Sequence, residues 1–252
     1  MIKGLRDQLE TKRYVLNGYC KIPDAFCASL YASLGWDSVT LDMQHGLIGY
    51  ESAIGMLHAI AMENVLPMVR IPALEPSIIS RLLDAGALGI TCPMVNTVSD
   101  AEHLVQYCKY APQGVRSFGP VRARPLYGAD YVKKANRMVS AMAMIETTEA
   151  LGNLNDILSV EGLDGIYIGA MDLSLSMGKS TEGALDPAVA AEIENMLQQC
   201  KKRNLIAGIL ARNPEQAGKY IERGFRVITL ASEADAMTTQ ARQWIEGCRK
   251  LG

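Results

Sequence analysis

Eight short apolar runs, separated by segments with helical periodicity, constrain the fold of this chain more than any other feature. The runs are nearly continuous in aliphatic residues, as in VTLDM, AMAMIE and GIYIGA. Strands that are buried on both faces of a parallel sheet have this composition. The predicted strands span residues 16–20, 38–43, 66–71, 89–95, 140–146, 165–170, 205–210 and 226–231.

The remaining segments predict helices at 24–34, 50–63, 75–85, 99–110, 149–158, 187–203, 214–223 and 234–251. Ser99 to Glu102 resembles a capping box, and Pro187 and Pro214 occupy first-turn positions that proline favours. Eight strand–helix units in 252 residues predict a single (β/α)8 TIM barrel domain over residues 1–252. The alternative is a doubly wound open sheet, which usually has fewer strands at this length and a GxGxxG turn after its first strand.

Composition argues against several functional classes. The chain has 25 basic and 27 acidic side chains and a net charge of -2, which gives no global electrostatic reason to bind nucleic acid. No stretch approaches the roughly 20 apolar residues that span a bilayer, and the charged N-terminus lacks a leader-type apolar segment. The six cysteines are scattered without CxxC spacing, as expected for reduced thiols. We therefore expect a cytoplasmic protein without nucleic-acid or membrane partners.

One connection, residues 111–137, is long for a compact barrel and rich in arginine and lysine. It is either a solvated or subunit-contacting loop, or a segment that binds a substrate carboxylate or phosphate. The second interpretation makes Arg116 a candidate substrate-binding residue.

Charged residues follow five of the predicted strands, at the end of a barrel where catalytic groups collect. They are Lys21, the segment from Asp42 to His45, Arg70, Glu146 and Asp172. Their convergence on one mouth predicts an active site.

Glu146 and Asp172 follow adjacent strands, so their carboxylates are expected to lie close together. Two anionic carboxylates repel each other unless one is protonated or a cation lies between them. Oxygen ligands without a cluster of Cys or His suit Mg2+, Mn2+ or another hard divalent ion. A general acid/base pair and an ion pair with Arg70 remain the alternatives.

Three further mouth residues have a chemical and a structural interpretation each. His45 lies beside Asp42 and before a glycine, where it would act as a general base or support the turn. Arg70 is a permanent cation that suits an enolate or carboxylate oxygen, or pairs with Asp42 or Glu146. Lys21 would form a Schiff base with a carbonyl substrate or lie on the surface as an ammonium group.

Seven segments in this order resemble the HpcH/HpaI family of metal-dependent 2-oxo acid aldolases: GWDSVTLDMQHG, PMVRIP, LLDAGALGI, CPMVNTVSDAE, YAPQGVRSFGP, MIETTEAL and IGAMDLSLSMG. The resemblance covers nearly the whole chain. It implies a (β/α)8 barrel that assembles as a homohexamer, a trimer of dimers, with the last helix exchanged between subunits.

The resemblance also implies a site and a reaction. Glu146 and Asp172 would hold Mg2+, Mn2+ or Co2+, and a pyruvate-like 2-oxo acid would chelate that ion while backbone amides near Met171 and Asp172 bind its carboxylate. His45, made more basic by Asp84, would accept the proton of the C4 hydroxyl. Arg70 would stabilise the enolate oxygen. The implied activity is the reversible cleavage of a 4-hydroxy-2-oxo acid into pyruvate and an aldehyde.

Three residues depart from the family pattern and put the substrate, rather than the chemistry, in doubt. Gln44 stands where glutamate is frequent, Met144 replaces a glutamine that contacts substrate, and Met171 replaces a smaller alanine. Met144 and Met171 are therefore candidate substrate-binding residues. The altered pocket keeps open related enolate chemistry, such as oxaloacetate decarboxylation or a citrate-synthase-like condensation. A catalytically silent ligand-binding protein is a third hypothesis, against which the retained set of charged residues argues.

Overall fold

The strands form one closed, parallel barrel in which each strand pairs with its sequence neighbours and the first pairs with the last. The computed structural model describes residues 2–251. The strands are β1 (Val15–Cys20), β2 (Ser38–Asp42), β3 (Leu66–Arg70), β4 (Gly89–Cys92), β5 (Ser140–Ile145), β6 (Gly165–Ile168), β7 (Ile206–Leu210) and β8 (Val227–Ser232). The predicted TIM barrel is confirmed, and the predicted strands are slightly long mainly because their last residues turn out of the ladder at the mouth.

Burial on both faces explains why nearly continuous apolar runs form these strands. Every residue of β2 and of β5 is buried. In β2, Val39 and Leu41 alternate with Thr40, whose hydroxyl bonds to Asn17 of β1 inside the barrel. The main core therefore lies between the strands and the surrounding helices, and the barrel interior contains a polar layer.

The helices are α1 (Leu5–Leu9), α2 (Ala25–Ala32), α3 (Tyr50–Met62), α4 (Pro76–Asp84), α5 (Val98–Cys108), α6 (Ala123–Tyr127), α7 (Tyr131–Met138), α8 (Thr148–Gly152), α9 (Leu154–Ile157), α10 (Ala170–Ser176), α11 (Pro187–Lys202), α12 (Pro214–Arg223) and α13 (Glu233–Arg249). The prediction of a capping box from Ser99 to Glu102 was wrong by two positions. Thr97 caps α5, and Asp100 returns the bond to the Thr97 backbone. The single helix predicted at 149–158 is divided into α8 and α9 at Asn153.

The long connection 111–137, predicted to be a loop, contains α6 and all but the last residue of α7. Both are anchored by buried aromatic rings, those of Tyr127 and Tyr131. Because α7 leads directly into β5, this end of the segment lies at the amino ends of the strands, opposite the mouth. The segment is therefore not a fully solvated loop.

The last helix, α13, is attached to the barrel only through its beginning. Ser232 caps it in a capping box with Asp235, and Glu233 in the first turn is buried. The rest of the helix is exposed, including the large apolar side chains of Trp244 and Ile245. This helix leaves its own barrel with an apolar surface uncovered.

Among residues 2–251, no helix combines the length and the apolar composition that crossing a membrane requires. All six cysteines are free, and four of them are buried.

Candidate active site

A cavity of about 400 Å³ opens at the carboxyl ends of the strands. Strands β1, β3, β5, β6 and β7 contribute to its wall, together with α10 and α12. It contains most of the predicted site residues: Lys21, Arg70, Met144, Glu146, Met171 and Asp172. The structure therefore brings these residues together, as their positions after the strands predict.

Glu146 is a buried carboxylate fixed by the backbone around it. It is 2% exposed, and its Oε1 accepts a hydrogen bond of 2.8 Å from the Met94 amide. Met94 has a φ of 55°, a strained value for a non-glycine residue, which directs its amide to this carboxylate. Gly169 packs directly against the Glu146 side chain. Any residue with a Cβ would collide there, since that Cβ would lie 2.6 Å from Glu146 Cβ. Burial raises the pKa of Glu146, and the nearby charge of Asp172 raises it further.

Asp172 is exposed at the mouth, in the first turn of α10, which follows β6. Arg70 makes its ion pair with Asp42, not with Glu146, so the alternative of an Arg70–Glu146 ion pair was wrong. Among residues 2–251, no group of three or more His, Cys, Asp and Glu side chains is arranged to hold a metal ion. Glu146 and Asp172 nevertheless fit a hard divalent cation, because both donors are carboxylates and the charge of Asp172 disfavours ionisation of Glu146.

Arg70 is held rigidly at the edge of this carboxylate pair. Its Nε and Nη2 donate to Asp42 Oδ1 and Oδ2 at 2.9 and 2.6 Å, and its guanidinium lies 5.0 Å from the centre of the Tyr19 ring. Burial opposes the charge of Arg70, but Tyr19 and Asp42 outweigh it and raise the pKa of the guanidinium. Burial likewise opposes ionisation of Asp42, but bonding to Arg70 lowers the pKa of this carboxyl. The pair fixes a cation against one wall of the cavity.

Asp42 also shapes the turn that presents His45. Its Oδ1 accepts hydrogen bonds from the amides of Gln44 at 3.2 Å and His45 at 3.1 Å. Gly46 is required here, since a Cβ would meet the Asp42 carbonyl oxygen and lie 3.0 Å from Lys21 Cα. The His45 side chain is exposed at the rim, outside the cavity wall of its own chain.

Asp84 and Arg116, two predicted site residues, lie at the other end of the barrel. Asp84 ends α4, a helix that runs antiparallel to the strands, and its carboxylate accepts a 2.8 Å bond from Arg116 Nη2. Arg116 is buried, donates to the Tyr131 hydroxyl and packs 4.4 Å from the centre of the Tyr110 ring. Within one chain, the structure brings neither Asp84 to His45 nor Arg116 to the cavity. The two residues meet each other because 111–137 folds back under α4.

Lys21 lines the cavity, and its ammonium lies 3.8 Å from the Asp235 carboxylate at the start of α13. Its backbone amide donates to the buried Glu233 at 2.6 Å. The beginning of α13 thereby fixes the residues that follow β1.

Tyr19, Tyr167 and Arg212 are among the cavity residues that the sequence did not predict. Tyr19 and Tyr167 lie inside apolar strands, where inward alternation was the available signal. Arg212 comes two residues after β7 ends, and its Nη1 donates to the Gly183 carbonyl at 2.6 Å. It therefore holds the loop between α10 and α11 beside the cavity.

The sequence of this chain is similar to those of known proteins over most of its length. The family model described as HpcH/HpaI aldolase/citrate lyase matches residues 19–239. The hydroxypyruvate/pyruvate aldolase of Rhizorhabdus wittichii is 39% identical over 243 residues, which cover 95% of this chain and 96% of that protein. The 4-hydroxy-2-oxo-heptane-1,7-dioate aldolase of Salmonella arizonae is 34% identical over 227 residues, 89% of this chain and 86% of that protein.

Solved structures show the same similarity. The crystal structure of the citrate synthase SbnG superposes with a TM-score of 0.89 at 29% sequence identity, covering 99% of this chain and 98% of that one. The barrel of SbnG is therefore closely similar to the barrel of this chain over nearly its whole length.

Proposed function

This chain belongs to the HpcH/HpaI aldolase/citrate lyase family, and on that premise we propose that it is a divalent-metal-dependent aldolase. It reversibly cleaves a 4-hydroxy-2-oxo acid into an aldehyde and either pyruvate or hydroxypyruvate, the two donors in the name of the relative from Rhizorhabdus wittichii. One observation carries the proposal: Glu146 and Asp172 lie together in the mouth beside a guanidinium that Asp42 already holds.

Glu146 and Asp172 would hold the cation, with Mg2+, Mn2+ and Co2+ as the candidates. Such an ion, when bound, acts as a Lewis acid toward a keto oxygen. The protein supplies the second positive group at a fixed position. Because Arg70 is bound through two hydrogen bonds to Asp42, it needs no reorganisation when negative charge develops on the substrate oxygen.

His45 is the proposed acceptor for the proton of the C4 hydroxyl. Its side chain is exposed at the rim, where a substrate hydroxyl can reach it. An imidazole accepts a proton near neutral pH, and the Asp42-bound turn holds its backbone in place. Removal of the C4 hydroxyl proton lets the aldehyde C=O form as the C3–C4 bond breaks, and the electron pair of that bond passes into the enolate, whose oxygen Arg70 would stabilise.

The proposed metal dependence is tested with the purified protein. We expect EDTA to abolish aldol cleavage and Mn2+, Co2+ or Mg2+ to restore it. Glu146→Gln is expected to abolish Mn2+ binding in calorimetry together with turnover, whereas Glu222→Gln, a matched change on the exposed face of α12, changes neither. Full activity after exhaustive chelation would contradict the proposal, as would a borohydride-trapped pyruvate adduct on Lys21.

A homo-oligomer with exchanged α13, of which a hexamer is the expected form, is also part of the proposal. The exposed apolar side chains on α13, Trp244 and Ile245, have a matching exposed surface on and just after α2, at Phe26, Leu30 and Leu34. Covering these two surfaces by a second copy would remove both from water.

Such an assembly offers the only route by which Asp84 assists His45, since the two lie at opposite ends of one barrel. We expect His45→Ala and Asp84→Asn each to lose activity as pure proteins. Mixed and reassembled in equal amounts, they should regain about a quarter of wild-type activity, because one site in four then combines the intact residues of two subunits. Activity that stays at the average of the two variants would contradict a shared site.

A cytoplasmic location completes the proposal, supported by six free cysteines, four of them buried.

Related enolate chemistry is the second candidate, favoured by the similarity to the citrate synthase SbnG and by Met144 and Met171 in the cavity wall. An assay with oxaloacetate, with and without an aldehyde, separates the two. Pyruvate formation that needs no aldehyde would indicate decarboxylation, and stable carbon–carbon bond formation only with an aldehyde would indicate an aldolase.

A further inference from the structure

Arg212 is a cation on the cavity wall that the proposed chemistry does not use. It comes two residues after β7 ends and lines the cavity together with Leu210, Gln216 and Tyr220. In the closed barrel, β7 lies four strands from β3, whose last residue is Arg70. The side chains of Arg212 and Arg70 therefore start from opposite walls of the mouth.

The guanidinium of Arg212 contacts only uncharged groups of residues 2–251. Its Nη1 donates to the Gly183 carbonyl at 2.6 Å, and its Nη2 lies 3.5 Å from both the Thr181 carbonyl oxygen and Met171 Sδ. Within the same residues, no carboxylate oxygen lies within 4 Å of this guanidinium. Carbonyl oxygens accept hydrogen bonds but bring no negative charge, so Arg212 keeps its positive charge beside the cavity.

The other two cations of the cavity each lie beside an acid, which distinguishes them from Arg212. Arg70 donates two hydrogen bonds to Asp42, and the Lys21 ammonium lies 3.8 Å from the Asp235 carboxylate. A guanidinium has five N–H donors, and in Arg212 only one of them makes a bond shorter than 3 Å within residues 2–251. Because Arg212 is exposed, a ligand in the mouth can reach the other donors.

The backbone at Arg212 is fixed by the beginning of α12. Gln216 Oε1 accepts a 2.7 Å bond from the Arg212 amide, and Asn213 caps the helix by accepting a 2.8 Å bond from the Gln216 amide. Gln216 Nε2 in turn donates to the Tyr220 hydroxyl at 3.2 Å. The Arg212 side chain therefore starts from a well-defined position at the edge of the mouth, as a residue that recognises a ligand requires.

On the proposed aldolase function, the 2-oxo acid donor occupies the cation site at Glu146 and Asp172 and the guanidinium of Arg70. The remaining part of the substrate is the acceptor aldehyde, and Arg212 is the cation that the donor leaves unused. A guanidinium binds carboxylate and phosphate groups through charge-assisted, often bidentate hydrogen bonds. A neutral aldehyde gains no such bond, so this charge favours an anionic acceptor.

We propose that Arg212 binds the anionic end of the acceptor aldehyde, a carboxylate or a phosphate, and thereby selects charged acceptors over neutral ones. This assignment rests on the proposed function. It makes Arg212 a specificity-determining residue for the acceptor, whereas Arg70 and the metal site act on the donor.

The test is aldol addition of pyruvate to two pairs of aldehydes by the Mn2+-loaded protein. The members of each pair differ in a terminal anion: succinic semialdehyde is compared with butanal, and glyceraldehyde 3-phosphate with glyceraldehyde. We expect the wild type to have the higher kcat/KM for the charged member of at least one pair, and that pair identifies the anion. Arg212→Gln should lower this charged-to-neutral ratio about tenfold to a hundredfold. Arg212→Lys should keep part of the ratio, because its ammonium retains the charge but not the fork of donors.

Arg13→Gln is the matched control. Arg13 is also exposed and also donates to a backbone carbonyl, that of Ile221, but it precedes β1 at the opposite end of the barrel. Its substitution should leave the charged-to-neutral ratio unchanged.

Two results would overturn the role of Arg212 alone. One is an Arg212→Gln protein that loses the same factor with both aldehydes of a pair, which would show that Arg212 only holds the loop at Gly183. The other is a wild type that favours neither charged aldehyde. Exchange of the C3 protons of pyruvate with solvent deuterium, followed by NMR without aldehyde, measures the donor half of the reaction separately. Absence of this exchange in the wild type refutes the proposed function, and this inference with it.

Discussion

Gly169→Ala is the substitution that tests most directly whether the metal site depends on the position of Glu146. The added Cβ would lie 2.6 Å from Glu146 Cβ and closer still to Glu146 Oε2. Carbon atoms in contact normally stay about 3.5 to 4 Å apart, so an overlap of about 1 Å must be relieved. Glu146 Cβ is attached to the backbone after β5 and cannot rotate away. The carboxylate or the backbone therefore has to shift.

The expected magnitude follows from the bond that this shift breaks. Glu146 Oε1 accepts a 2.8 Å bond from the Met94 amide, and a hydrogen bond to a charged group contributes about 1.5 to 3 kcal/mol. At 1.4 kcal/mol for each factor of ten, Gly169→Ala should weaken Mn2+ binding about tenfold to a hundredfold and lower kcat/KM for aldol cleavage by a similar factor.

Calorimetric titration with Mn2+ measures the effect, and Gly218→Ala is the matched control. Gly218 lies within α12, and a Cβ there meets no atom within 4 Å. Alanine at this position should leave Mn2+ affinity unchanged and stabilise the helix by roughly 0.5 to 1 kcal/mol. A Gly169→Ala protein that binds Mn2+ within about twofold of the wild-type Kd would refute the argument.

Two further predictions concern the Arg70–Asp42 pair. Arg70→Lys should lower kcat about a hundredfold with a smaller change in KM. The reason is that an ammonium group cannot keep both bonds to Asp42 and also hold its charge at the substrate oxygen. Equal losses in pyruvate binding and turnover would indicate that Arg70 only binds substrate. Asp42→Asn should cost about 3 kcal/mol in urea unfolding at pH 7. The folded-state pKa of Asp42 is lowered, so its stabilisation is fully present above the unfolded pKa of about 3.9. This stabilisation is lost as the pH falls through the folded-state pKa. The difference in unfolding free energy between wild type and Asp42→Asn should therefore shrink near pH 3. A loss of equal size at both pH values would contradict the ion pair as its source.

The barrel was predictable because a parallel sheet covered on both faces imposes a recognisable composition on every strand. The carboxyl ends of such strands always converge, so the cluster of Arg70, Glu146 and Asp172 followed from position alone. The strand ends were less predictable. Residues such as Glu146 continue the apolar run in sequence, but their backbones leave the ladder to bring side chains into the cavity.

The helices and pairings that sequence could not give depend on contacts distant along the chain. Arg116 was a reasonable substrate-binding candidate until the fold placed it against Asp84, 32 residues earlier in the chain. Tyr167 was hidden because one tyrosine in an apolar strand resembles any buried aromatic residue. Its packing against Tyr19 and Met144 is a property of the assembled barrel, because it involves β1, β5 and β6 together.

The charges at the mouth favour a dication over a monovalent cation in the proposed metal site. Arg70 pairs with Asp42, Lys21 lies beside Asp235, and Arg212 donates to the Gly183 carbonyl beside Met171. Within residues 2–251, neither Glu146 nor Asp172 makes a salt bridge to a basic side chain, so the pair carries up to two negative charges toward the cavity. A monovalent cation would leave one negative charge on this carboxylate pair, which disfavours an anionic 2-oxo acid next to it. A divalent ion held by Glu146 and Asp172 would balance the pair and supply Lewis acidity, while the fixed guanidinium of Arg70 would face the oxygens of the bound acid. Substrate binding in this cavity should therefore require the metal itself, so that pyruvate titrated into EDTA-treated protein gives no calorimetric signal.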